Sequence, residues 1–226
     1  MDTHPKNMEI AGQLKQPGNN WNLPADIAEL ECPVRIHTLG RFGISRLGES
    51  MSLSATRQQR AIELLQALIA FGGRDVSIEL LSQTVWSDAD GDVAKNTFDV
   101  TLHRLRNLFK IKDLFTVREG HLTLNNRLAW VDAWALEQLV NHYRPLLERA
   151  GEPEVMNELA RGTDRMQRLY QGSFLEREPI RPWAISLREK LRSKVLFYLI
   201  DAGNTWEAMN DKTRAIRCYR KGLEIE

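Results

Sequence analysis

The chain has 226 residues, of which 42% are hydrophobic and 27% are charged, and its formal net charge is +1. This composition is typical of a soluble globular protein with one large or two small domains, and it excludes a strongly basic protein. No apolar run approaches the ~18 residues of a membrane span, and no secretory signal is visible. Cys32 and Cys218 lie near opposite ends without metal-ligand spacing. We therefore expect a cytoplasmic protein that does not associate with a membrane and binds no metal or cofactor.

The first part of the chain changes from polar tail to short strands and then to helix. Residues 1–31 are polar and lack sustained periodicity, which predicts a disordered tail or linker. Alternating hydrophobic residues from Val34 onward predict two to four short antiparallel strands, the last at residues 51–53. A helix with Ser54 as its N-cap follows and ends at the glycine pair 72–73.

A second, shorter helix is predicted at residues 78–86. Ser77 is in position to cap it, and the spacing predicts that Leu80, Leu81 and Val85 face the core.

The stretch 92–112, DVAKNTFDVTLHRLRNLFKIK, follows an acidic loop and is the most informative part of the chain. Wound as a helix at about 100° per residue, it has one apolar stripe, formed by Phe98, Leu102, Leu105 and Phe109. Between Val93 and Arg118, six basic and two acidic residues give a local net charge of +4. A recognition helix at about 93–110 is therefore predicted.

The polar side of this helix carries amide, imidazole and guanidinium groups. In a DNA major groove, asparagine can pair with adenine, arginine with guanine, and valine can touch a thymine methyl. The predicted base contacts are Asn96, Val100, His103, Arg104 and Asn107. The alternative is an ordinary amphipathic helix with a solvated polar face.

A hairpin with Glu119-Gly120 as its tight turn is predicted next, at residues 115–124. Strands, three helices and a hairpin, in that order, are typical of a winged helix, whose wing lies on the adjacent groove or the DNA backbone. The predicted backbone contacts are Trp86, Arg106, Lys110, Arg118, His121, Arg57 and Arg60. Their alternatives are a core position for the tryptophan and solvation or ion pairing for the others.

After residue 131 the pattern is helical throughout. Helices are predicted at residues 132–149, 152–170, 182–202 and 210–225. Helix pairs with small residues at their crossings, as in Ala215…Tyr219…Leu223, suggest tetratricopeptide-like repeats. The last helix reaches Glu226 without a partner helix, which predicts a truncated repeat or a fragment of a longer protein.

Two further sets of residues in the chain give no indication of a binding or catalytic site. Arg188, Lys190, Arg192 and Lys194 alternate with hydrophobic residues, which predicts a solvated face. The five histidines are scattered and form no triad or metal-ligand pattern, so no enzymatic activity is expected.

Seven segments resemble, in order, the bacterial transcriptional activator domain (BTAD) regulators, which include the SARP-type activators. They are IHTLGRF, RQQRAIELLQALIAFGG, VSIELLSQTVW, TFDVTLHRLRNLF, FTVREGHLTL, WVDAWALEQL and YQGSFLEREPIRPWAISLREKLRSKVLFYL. The resemblance implies an α+β OmpR-like winged-helix domain at 32–131 and an all-α tetratricopeptide-like domain at 132–226. It also implies binding to double-stranded DNA, commonly at direct repeats, recruitment of RNA polymerase and activation of transcription.

The chain departs from this family at its N-terminus, because SARP-type chains usually start almost directly at the first strand. LGRFGISRLGESMSLSATRQQRAIELLQALIAFGG is also similar to versions in which this module ends a large ATP-dependent regulator, although GxxxxGK[ST] is absent here. The near-neutral charge and the acidic loop leave a second interpretation open. In it the chain is a protein-interaction adaptor whose winged helix no longer binds DNA. In the leading interpretation, a DNA-binding regulator, the helical domain serves self-association or contacts with an effector or partner.

Overall fold

The computed structural model describes residues 32–52, 55–87 and 91–225, without the side chains of 55–57 and 91–94. The predicted tail and the predicted N-cap Ser54 lie outside these ranges. The strands are β1 (Val34–His37), β2 (Gly43–Arg46), β3 (Glu49–Ser50), β4 (Val76–Ser77), β5 (Phe115–Arg118), β6 (His121–Leu124) and β7 (Ala129–Val131). The helices are α1 (Ala55–Ala70), α2 (Ile78–Val85), α3 (Gly91–Phe109), α4 (Asp132–Tyr143), α5 (Pro153–Leu169), α6 (Pro182–Ala208) and α7 (Lys212–Ile225).

The architecture is the predicted one, an α+β winged helix followed by an all-α region. Its first sheet has the strand order β3-β2-β1-β7, and its second has the order β4-β6-β5. β1 pairs antiparallel with β2 but parallel with β7, so the prediction of antiparallel strands alone was incomplete. The third strand lies at Glu49–Ser50, earlier than the predicted 51–53.

The helix-turn-helix part is built around α1, which packs against α2, α3 and α6. Gly73 ends the turn after α1 with a φ of +70°, and an added Cβ would lie 2.2 Å from the ring of Trp134. Ser77 caps α2 as predicted, because its Oγ accepts the N–H of Leu80 at 3.3 Å. The prediction that Leu80 faces the core was wrong: it is 42% exposed. Leu80 lies about 100° around the helix from Leu81, whose side of α2 packs inward.

The all-α region differs from its prediction at the helix ends. The first helix ends at Tyr143 because Pro145 lacks an N–H, and the chain continues as a 3₁₀ helix, Pro145–Arg149. α6 continues beyond residue 202 to Ala208, and α7 packs along it. No helix of the described residues is both long enough and apolar enough to cross a bilayer.

The crossing of α6 and α7 depends on small residues, although not on all of those predicted. A Cβ on Gly203 would lie 2.4 Å from the ring of Tyr219, so a glycine permits this close approach. Leu223 was predicted at the crossing but is 74% exposed, and the neighbouring Gly222 lies there instead, near Leu196.

The prediction of a solvated basic face on α6 was wrong. Arg188 donates to the carbonyl oxygens of Phe174 and Leu175, and Arg192 donates to that of Ile225. Lys190 and Lys194 both contact the carboxylate of Glu137 on α4. These cations therefore join α6 to its neighbours.

The winged helix and the all-α region share one hydrophobic core. The loop before α6 also pairs with the segment directly after β1, where the N–H of Leu175 donates to the carbonyl oxygen of Thr38 at 2.7 Å. The N–H of Gly40 donates to Ser173 at 3.0 Å. The two parts are therefore joined both by apolar packing and by backbone hydrogen bonds.

Candidate nucleic-acid interface

One side of α3 is locked into the core. The predicted apolar stripe is confirmed: Phe98, Leu105 and Phe109 are fully buried, and Leu102 is 3% exposed. The ring of Phe98 meets the indole of Trp86 edge to face, and Phe109 packs on Phe115 of the hairpin with ring centroids 5.6 Å apart. Rotation about the helix axis would break these contacts, so the opposite side of α3 is held in one orientation.

Hydrogen bonds fix the C-terminal end of α3. Arg46 on β2 donates from Nη1 to the carbonyl oxygen of Phe109 at 3.0 Å, which satisfies one of the terminal carbonyls of the helix. Arg106 donates from Nη2 to the carbonyl oxygen of Phe115 at 3.1 Å. Lys110 then ends the helix in a left-handed conformation, with a φ of +52°.

The five predicted base-contact residues lie together on the exposed side of α3. Val100 is 51% exposed although it is apolar. The other members are also exposed: Asn96, His103, Arg104 and Asn107. Among the described residues, none of these four side chains has a hydrogen-bond or ion-pair partner. Their donors and acceptors are therefore available to an external ligand.

The positive charge predicted for this part of the chain is exposed. Six cations surround α3 and the hairpin: Lys95, Arg104, Arg106, Lys110, Lys112 and Arg118. Between residues 93 and 118 the acidic residues are Asp99 and Asp113, and Asp92 and Glu119 lie directly outside these bounds. Because the whole chain has a net charge of only +1, this surface differs in charge from the remainder of the molecule.

The hairpin β5–β6 forms a wing as predicted. Arg118 pairs with His121 across the turn, and Glu119 and Gly120 both have positive φ, at 48° and 76°, as a tight two-residue turn requires. The carbonyl oxygen of Gly120 accepts the N–H of Ile78, so the tip is tied to the start of α2. Arg118 is exposed, whereas His121 is half-buried, with its Nδ1 2.9 Å from the carbonyl oxygen of Glu119.

The remaining predicted backbone contacts lie in less favourable surroundings. Trp86 is half-buried at the end of α2 and packs on Phe98, so it has both a core role and an exposed edge. Arg60 uses its Nη1 on Glu63 and on the carbonyl oxygen of Val85. Arg57 lies in the first turn of α1, and its side chain is not among those described.

Sequence reasoning missed Arg46, which holds the end of α3. No local pattern marks it, because its acceptor lies 63 residues away in the chain. Within the described ranges, no group of three or more His, Cys, Asp or Glu side chains is arranged to hold a metal ion.

Comparisons with known proteins support the fold. The sequence matches no protein-family model and no curated protein. Its structure is similar to that of Mycobacterium tuberculosis EmbR in complex with a low-affinity phosphopeptide, with a TM-score of 0.53 and 15% sequence identity. The similarity covers 84% of this chain and 59% of that chain. At this identity the likeness concerns the fold alone.

Proposed function

We propose that the protein is a transcriptional regulator that binds double-stranded DNA sequence-specifically, with α3 in the major groove. The observation that carries the proposal is the exposed side of α3, where Asn96, His103, Arg104 and Asn107 surround Val100 on a helix whose other side is buried. Amide and guanidinium groups pair with adenine and guanine edges, and valine contacts a thymine methyl.

The backbone contacts in this proposal surround the base-reading side. Lys110 and Arg118 are exposed cations at the end of α3 and on the wing, so they are the leading phosphate contacts. Arg106 and His121 contribute in addition to their internal hydrogen bonds. Trp86, Arg57 and Arg60 are the more peripheral members of the set.

We divide the chain, as a further part of the proposal, into a winged-helix domain at 32–131 and a tetratricopeptide-like domain at 132–226. The helical domain would serve self-association or partner contacts, and two copies would bind head to tail on a direct repeat. Recruitment of RNA polymerase, activation of transcription and a cytoplasmic location in a bacterium follow from the BTAD resemblance.

Selection of duplexes from a random double-stranded pool tests the proposal without knowledge of the target. The purified chain should enrich one motif, and a direct repeat of that motif should give higher affinity than a single copy. A variant with Asn96→Ala and Arg104→Ala should lose the enrichment. Recovery of unrelated sequences with the parent protein would overturn sequence-specific binding.

The adaptor function is the second candidate, and one observation favours it. Apolar side chains are exposed in the helical region, among them Phe197 (58%), Ile216 (58%) and Leu223 (74%). Ile216 and Leu223 lie two turns apart on one face of α7, and exposed apolar surface can mark protein-protein contact. The adaptor would be supported instead if the parent enriched no DNA motif and if Leu223→Ser abolished binding of a protein partner.

A further inference from the structure

A cleft of about 600 Å³ lies where the winged helix meets the helical region. Its walls come from α1, from the end of α2 and from the start of α6. The polar and charged lining is Arg60, Glu63, Thr84, Ser87 and Arg181, and the apolar lining is Val85, Trp86, Pro182 and Trp183. Clefts between structural units, with apolar walls and a few polar groups, are common sites for small ligands.

The charged lining of the cleft has more guanidinium groups than carboxylates. The two oxygens of Glu63 are each occupied by one arginine: Arg60 Nη1 lies 2.9 Å from Oε2, and Arg181 Nε lies 3.1 Å from Oε1. The Glu63 side chain is only 8% exposed, whereas those of Arg60 and Arg181 are 57% and 39% exposed. One carboxylate shared by two guanidinium groups leaves a local charge of +1.

Arg181 retains the part of its side chain that recognises carboxylates best. Its Nε faces Glu63, and no hydrogen bond among the described residues uses its Nη1 or Nη2. Arginine binds carboxylates through parallel pairs of N–H groups, and such charge-assisted bonds are among the strongest hydrogen bonds in proteins.

The apolar lining of the cleft includes two indole rings. Trp86 and Trp183 are both half-buried and both line the cleft, next to Val85 and Pro182. Indole rings contact planar aromatic groups by offset stacking or edge-to-face packing. A ligand that pairs with the guanidinium groups of the cleft and packs on its indole rings has an anionic group and an aromatic ring.

We propose that this cleft binds a small aromatic carboxylic acid, with the carboxylate on Arg181 and the ring between Trp86 and Trp183. The acid competes with DNA, because Trp86 is also a proposed contact to the DNA backbone and packs on Phe98 of α3. This competition rests on the proposed DNA-binding function, whereas binding of the acid does not. By linkage, DNA weakens binding of the acid by the same factor as the acid weakens binding of DNA.

Calorimetric titration of the full chain tests the site without DNA. The probes are benzoate, salicylate, phenylacetate and indole-3-acetate, each beside its uncharged amide. At least one acid should bind saturably with a Kd below about 1 mM, and its amide should bind about 10-fold more weakly because the charge-assisted pair is lost. Lack of saturable binding by all four acids, or equal binding of an acid and its amide, would overturn the proposal.

Matched arginine variants locate the site. Arg181→Gln should weaken binding of the acid at least about 10-fold, and Trp183→Ala should also weaken it. Arg161→Gln removes an exposed arginine of α5 and should leave it unchanged. Arg181→Lys keeps the charge beside Glu63 without the paired N–H groups, so weaker binding to this variant with an unchanged Tm separates recognition from folding. Full affinity in both Arg181 variants would place the acid elsewhere and overturn the proposal.

DNA binding with and without the acid tests the competition. Saturating acid should weaken binding to the selected duplex about fivefold or more, within the usual range of coupling between sites. An unchanged DNA affinity would overturn the competition while leaving the acid site intact. If the parent binds the acid but no DNA, the proposed function fails and the acid site stands.

Discussion

Asp132, at the start of α4, accepts hydrogen bonds from Thr38, the residue directly after β1, across 94 residues of sequence. Its Oδ2 accepts the backbone N–H groups of Thr38 at 2.7 Å and Leu39 at 2.9 Å, and Oδ1 accepts the Thr38 hydroxyl at 2.6 Å. Asp132 is 2% exposed and Thr38 is fully buried. This carboxylate thus joins the first sheet of the winged helix to the first helix of the all-α region.

Asp132→Ala should lower the free energy of unfolding by about 3 kcal/mol, because the buried backbone N–H groups of Thr38, Leu39 and Ala133 lose their acceptor. Thr38→Val removes only the hydroxyl and should cost about 1 kcal/mol. Urea unfolding monitored by circular dichroism measures both. Equal losses of free energy of unfolding in the two variants would show that the Asp132 carboxylate does not stabilise the junction between the first sheet and α4.

Val100→Ala should change stability and DNA binding in opposite directions. Val100 is 51% exposed within a helix, and alanine has the higher helix propensity, so stability should rise by up to ~0.5 kcal/mol. Loss of an apolar contact with a thymine methyl should weaken binding to the selected duplex by about 1 kcal/mol, or roughly fivefold. Thermal unfolding and fluorescence anisotropy report the two effects. A lower Tm of Val100→Ala with unchanged DNA affinity would assign Val100 a structural role.

Lys110→Gln should lower the salt dependence of DNA binding. Removal of one phosphate contact weakens binding to every sequence and reduces the slope of log Kobs against log salt by about 1. Lys212→Gln, an exposed lysine at the start of α7, is the matched control and should leave the slope unchanged. An identical slope for parent and Lys110→Gln would exclude a phosphate contact there.

The ion pairs of Glu137 predict that the free energy of unfolding depends on pH. Burial raises the pKa of Glu137, but the hydrogen bonds from Lys190 at 2.7 Å and Lys194 at 2.6 Å lower it more, so its pKa lies below the usual range. Because the pKa is lower in the folded state, this stabilisation is present above the unfolded pKa of about 4.3 and is lost as pH falls through the folded-state pKa.

Glu137→Gln should therefore be about 1 kcal/mol less stable than the parent at neutral pH, and the difference should shrink at about pH 3. Urea unfolding of both proteins at the two pH values measures this. A difference that does not change with pH would show that the carboxylate charge contributes nothing.

Local patterns in the sequence predicted the elements that form the candidate interface. The spacing of Phe98, Leu102, Leu105 and Phe109 identified the buried side of α3, and hence the exposed side, because a helix buries one stripe at period 3.6. Glu119-Gly120 identified the wing turn for a similarly local reason, since Gly120 adopts positive φ without steric cost.

Relationships between distant residues were not predictable in this way. The parallel pairing of β1 with β7 and the hydrogen bonds of Asp132 with Thr38 each join segments more than 90 residues apart. The basic residues of α6 were misjudged for the same reason, because their acceptors, such as Glu137, lie on other elements. Periodicity reports which face of a helix is polar but not which polar partner it meets.

The measurement that tests the central claim most directly is the affinity of the parent and of Arg104→Ala for the selected duplex and for a scrambled duplex, at about 50 mM and about 200 mM salt. If the parent makes four phosphate contacts, its affinity should fall roughly 100-fold as the salt concentration rises from about 50 mM to about 200 mM. Arg104→Ala should lose about 10- to 100-fold in affinity for the selected duplex and much less for the scrambled one. Binding that is insensitive to salt and unaffected by the substitution would contradict DNA recognition by α3.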